Sequence, residues 1–86
     1  MFRAEDILNR MRQRPFSPLR IVVSEGQHFD IRHPDLVLVG TRDLTIGFPR
    51  PDNPSIYEGQ TRVALVHVVA LEDLPPAKVP DNGQTN

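Results

Sequence analysis

Ala4, Ile7, Leu8 and Met11 recur at i, i+3, i+4 and i+7, the spacing of one face of an α-helix. Glu5 and Asp6 sit at the positive end of the helix dipole, and Arg10, Arg12 and Arg14 at the negative end. Pro15 stops the run, so the pattern predicts a helix over residues 4–14. A helix this short does not stand alone and must lay its apolar stripe on something else.

The rest of the chain reads as strands. Leu19-Arg20-Ile21-Val22-Val23 is apolar and β-branched, and Glu25-Gly26 follows as a tight-turn signal. Phe29 and Ile31 alternate with His28, Asp30 and Arg32, which predicts a second strand with one polar face. Leu36 to Val39 forms a short third run, and Leu44, Ile46 and Phe48 mark a fourth. The longest run, Thr61 to Leu71, is apolar at nearly every position after Arg62. Its valines favour a strand over a buried helix. With no polar face, that strand needs cover on both sides. One side falls to the core, and the other to the helix or a partner chain.

The reading is a mainly β protein with one N-terminal helix. Its expected architecture is a small, strongly bent five-stranded β-barrel, Sm-like or SH3-like, capped by that helix. Pro15, Pro18, Pro34, Pro49, Pro51 and Pro54 punctuate the boundaries between elements. Residues 1–74 form the expected single domain. The segment 75–86, rich in proline and polar residues, is expected to be a flexible tail.

At 86 residues and net charge −1, the chain is neither a strongly cationic coat nor a multidomain protein. It has no cysteine, which excludes disulfides and a thiol nucleophile. No apolar stretch approaches the roughly 20 residues of a membrane span. Acids follow the first four residues where a signal peptide would turn apolar. A soluble, cytoplasmic protein without a membrane partner is expected.

The segment from Pro15-Phe16-Ser17-Pro18 through Glu25-Gly26 to His33-Pro34-Asp35 resembles a family of short uncharacterised bacterial proteins. Their pattern is a short helix, a Pro-Phe-x-Pro-Phe segment, an acid-Gly turn and a His-Pro step before a hydrophobic strand. Here Leu19 stands where that family more often has Phe, and the resemblance implies no function. The order of elements, with Val66-His67-Val68-Val69-Ala70-Leu71 in the closing position, is also similar to the Sm-like (Hfq-type) small β-barrels. That resemblance implies ring assembly through strand pairing and RNA binding on the ring faces. The Gly-aromatic and Lys-His signatures of its RNA pocket are not matched.

Candidate chemistry is sparse. His33-Pro34-Asp35 spells the tripeptide with which J-domain co-chaperones stimulate their partner ATPase, but strands rather than helices flank it here, so it reads as a turn. His28, His33 and His67 with Asp30 lack the spacing of a metal site. Ser17, Ser24 and Ser55 lie in no nucleophile elbow, and Glu72-Asp73 reads as a solvated strand exit. No phosphate-cradling glycine cluster is present. A non-enzymatic protein without a cofactor is expected.

Nine of the ten basic residues are arginine. Five of them fall within residues 1–20 against Glu5 and Asp6, which leaves +3 there and −4 over the remainder. Arg3, Arg10 and Arg14 share one flank of the predicted helix, where bidentate donors suit phosphate. Single-stranded RNA is therefore the alternative partner. The leading expectation is an interaction or assembly module that forms a homo-oligomer through its last strand. Val66, Val68 and Ala70 are the residues expected against a second copy.

Overall fold

A computed structural model describes residues 1–75. It comprises helix α1 (Ala4–Arg12) and six strands. These are β1 (Leu19–Val23), β2 (His28–Ile31), β3 (Val37–Val39), β4 (Asp43–Pro49), β5 (Tyr57–Ala64) and β6 (Val68–Asp73). They form two antiparallel three-stranded sheets, ordered β2-β1-β6 and β3-β4-β5. The protein is thus mainly β with one N-terminal helix. The expected five strands are six, and among the described residues no ladder joins the two sheets into a closed barrel. The expected tail falls outside the described residues from position 76 onward. No described helix is long and apolar enough to cross a membrane.

α1 begins where the Asp6 carboxylate reaches back to accept a 2.8 Å hydrogen bond from the Arg3 backbone N–H, satisfying a donor the helix cannot. It ends two residues earlier than its arginines suggest. Gln13 is already extended, and the Arg14 guanidinium donates to Met11 O at 2.9 Å and Gln13 O at 2.7 Å. Those bonds supply the carbonyls of the last turn with the donors they lack.

Strand alternation builds the core. In β1, Leu19, Ile21 and Val23 point inward, while Arg20 and Val22 are only half-buried. Ile31 of β2, Val37 of β3, and Leu44 and Ile46 of β4 complete the apolar space between the sheets. Ile7 and Met11 of α1 enter the same cluster, and Leu8 is half-buried. The β1–β2 connection places Glu25 (φ 72°) and Gly26 (φ 85°) in the left-handed region, with Val23 N–H donating to Gln27 O at 2.8 Å.

The predicted strand from Thr61 to Leu71 is interrupted. β5 ends at Ala64, a 3₁₀ turn covers Leu65–His67, and β6 continues in the other sheet, paired with β1. A 3₁₀ turn aligns side chains three apart. Leu65 and Val68 therefore both point inward, and Val66 and Val69 outward, at 61% and 58% exposure. Leu65 N–H crosses to Arg42 O at 2.8 Å, so the corner leaves that donor satisfied. The expected two-faced burial is replaced by an apolar corner with period three.

Electrostatic pairs sit on the outside. Arg20 stands in register with Asp30 and donates to both its oxygens, at 2.8 and 3.3 Å. Those hydrogen bonds hold the Asp30 carboxyl below its ordinary range and raise the Arg20 guanidinium further.

Two measurements check this account. Ile7→Ala removes a fully buried side chain and should cost about 2–5 kcal/mol, while Arg12→Ala on the solvent side should stay within about 0.5 kcal/mol in urea unfolding. For Asp30 the folded pKa lies below the unfolded one. The pair's contribution is therefore full above the ordinary value of 3.8 and is lost as pH falls through the depressed folded value. Asp30→Asn should lower the melting temperature at neutral pH and converge with wild type in acid.

Candidate functional site

His33-Pro34-Asp35 forms the bend between β2 and β3. Pro34–Leu36 is a 3₁₀ turn, with Leu36 N–H donating to His33 O at 3.2 Å. The Asp35 carbonyl accepts a 3.0 Å hydrogen bond from the Tyr57 hydroxyl. Tyr57 reaches that carbonyl by lying across β4 at Gly47, where a Cβ would sit 2.6 Å from its ring carbons. The tripeptide is therefore a turn pinned by an aromatic side chain. Only the glycine leaves room for that ring.

The three histidines are dispersed. His28 lies on β2, His33 before the Pro34 turn and His67 in the β5–β6 corner, and all are exposed. Among the described residues, no group of three or more His, Asp or Glu side chains converges in a way that would hold a metal ion. Ser24 Oγ donates to His67 O at 3.4 Å, which ties the β1–β2 turn to the corner. Glu72 and Asp73 lie exposed at the end of β6, where Asp73 binds Arg10 at 2.7 Å.

The arginine flank divides. Arg10 is committed to Asp73 through Nη2, and its Nε is buried without a partner. Arg14 is folded back onto its own helix end. Arg3 lies at the opposite end of α1, on the rim of an apolar cleft. The three residues proposed for RNA thus form no common row of free guanidinium groups.

The cleft itself, about 810 Å³, opens between the start of α1, the β3–β4 turn and the β5–β6 corner. Phe2, Ala4, Leu8, Val39, Ala64 and Val66 form its wall, with Arg3, Glu5 and Arg42 among its polar groups. A smaller hollow of about 440 Å³ shares Met1 and Phe2 with it and continues to Val68 and Val69. Met1 is 94% exposed, and with Val66 and Val69 it places three large apolar side chains in water on one side of the molecule. Of the residues expected to meet a second copy, Val66 lies on this surface. Val68 belongs to the core and Ala70 is half-buried.

Residue periodicity alone did not reveal the cleft, because its wall comes from three segments far apart in sequence. Its only sequence signal is the excess of apolar residues at Val66 and Val69 over what a one-sided strand needs. No family model, curated protein or solved structure matches this chain.

The pinned turn gives a direct test. Tyr57→Phe removes the hydroxyl that satisfies Asp35 O and should lower unfolding free energy by about 1 kcal/mol. Gly47→Ala forces the ring itself to move and should cost more in the same urea titration.

Proposed function

We propose that this protein is a non-enzymatic interaction module that associates with copies of itself, built as a small, strongly bent β-barrel of Sm-like or SH3-like form. The barrel reading is supported by the single core shared by both sheets. It is also supported by the short corner Leu65–His67, which carries the chain directly from β5 of one sheet into β6 of the other. Ile21 and Ile31 from one sheet and Leu44 and Ile46 from the other meet in that core.

The observation that carries the association reading is the exposed apolar surface of Met1, Val66 and Val69 beside the cleft. Contiguous apolar surface rimmed by polar groups marks interaction sites on soluble domains. The rim carries both signs of charge, Arg3 and Arg42 with Glu5, as a surface that meets its own copy requires. A domain of this size also has a small core. Association adds burial that the isolated chain lacks.

Light scattering at high micromolar concentration should report a mass above one chain. Val66→Glu should lower that mass while the chain remains folded by circular dichroism, because Val66 is not in the core. Val68→Lys should instead unfold the domain. A wild-type chain that is monomeric at that concentration, or an assembly indifferent to Val66→Glu, would overturn the reading.

A further inference from the structure

β5 lies at the margin of its sheet, and among the described residues only β4 pairs with it. Tyr57 to Gln60 and Arg62 are exposed, and Thr61 is half-buried. A free edge of this kind presents a row of unpaired N–H and C=O groups, a template for another strand. Lysine, proline, other charges, a bulge or a covering element can blunt such an edge; β5 carries no lysine or proline, two charges, and one irregularity near its start. Its two charges are Glu58 and Arg62, of opposite sign and four residues apart. Glu58 forms no ion pair among the described residues, and Arg62 reaches Asp43 only loosely, at 3.5 Å.

We infer that a second copy of this chain adds to that edge, β5 against β5, antiparallel about a two-fold axis at Gln60. The inference rests on the reading of the protein as a self-associating module, but places this contact away from the apolar cleft. In a two-fold antiparallel pair one residue faces its own copy, and residues equidistant from it face each other. An axis at Glu58 opposes two carboxylates, and one at Arg62 opposes two guanidinium groups. An axis at Gly59 sets Glu58 against Gln60 and Arg62 against Ile56. An axis at Thr61 sets Arg62 against Gln60 and Glu58 against Ala64. Only the axis at Gln60 brings Glu58 opposite Arg62, and symmetry makes that pair twice.

Opposite charges across strands stabilise a register, and like charges oppose it. Gln60 facing Gln60 matches amide donor to amide acceptor. Gln60 and Arg62 stand in register with Gly47 and Thr45, on the face of the sheet away from Leu44 and Ile46, so the contact leaves the core undisturbed. The irregularity at Phe48/Pro49, where Tyr57 pairs with Pro49 and Gly59 with Phe48, leaves Glu58 without a partner on β4. The regular ladder with β4 runs from Gly59 to Ala64, beside that irregularity. The product is one continuous six-stranded sheet running β3-β4-β5 in each copy.

The chain has no cysteine, so a single introduced thiol reads the register directly. Facing residues in an antiparallel pair have Cα atoms about 4.5–5.5 Å apart, within disulfide reach. Residues offset from their own copies lie beyond it. Under mild oxidation, Gln60→Cys should cross-link to a covalent dimer at least about tenfold faster than Thr61→Cys. An equimolar mixture of Glu58→Cys and Arg62→Cys chains should cross-link faster than either alone. The preference should persist when Val66→Glu is added, with circular dichroism confirming the fold of each variant. Equal rates for Gln60→Cys and Thr61→Cys would overturn the inference. If the wild-type chain then still associates and Val66→Glu reduces that association, the loss is confined to this contact. If the wild-type chain is monomeric, both readings fall together.

Discussion

The corner from Leu65 to Val68 is the constraint on which the rest of the molecule depends. The bond from Leu65 N–H to Arg42 O closes the end of the β4–β5 ladder. The 3₁₀ turn Leu65–His67, with Leu65 and Val68 inward three residues apart, carries the chain from one sheet into the other. Because the turn is 3₁₀, the residues between and after them are rotated outward. The same corner therefore closes the core with Leu65 and Val68 and exposes Val66 and Val69 to water. Packing and exposure here are two results of one helical phase. Once past the corner, β6 lies beside β1, with Ile21 opposite Leu71, and the first sheet is complete.

α1 depends on that arrangement in turn. Its buried side chains, Ile7 and Met11, need the space between the sheets to exist before they have anywhere to go. Arg10 then joins the helix to the end of β6 through Asp73, a link between segments 63 residues apart. Exposed pairs of this kind contribute little on their own. Here the pair is added to an apolar contact that already sets the helix in place, so it orients the helix more than it holds it. Arg10 reaching toward β6 and Arg14 folded onto the end of its own helix set the arginines of this flank apart from one another.

The two halves of the surface differ in character. Around the cleft the chain exposes apolar side chains rimmed by charge, which suits association driven by burial. Along β5 it exposes backbone, with a charge at each end, which suits pairing directed by register. Tyr57 stands at the limit of the second region. By lying over Gly47 and bonding Asp35, it stiffens the bend that a His-Pro-Asp sequence only begins.

Much of this was legible in the residues themselves. The period of 3.6 at Ala4, Ile7, Leu8 and Met11 placed the helix, and the β-branched run Leu19-Arg20-Ile21-Val22-Val23 placed β1. These are local signals, and local signals survive because neighbouring side chains share one backbone geometry. Glu25-Gly26 and Pro34 likewise mark turns through their own backbone preferences. The corner was different. An unbroken apolar run carries no glycine or proline to announce a break, and Leu65 and Val68 look the same in a strand as in a 3₁₀ turn. Which valine is buried was decided by where Arg42 O and the core lay, positions set by strands distant in sequence. The cleft and the free edge of β5 have the same origin. They are absences of a neighbour, and a sequence determines its own periodicity but only a folded chain determines what stands beside it.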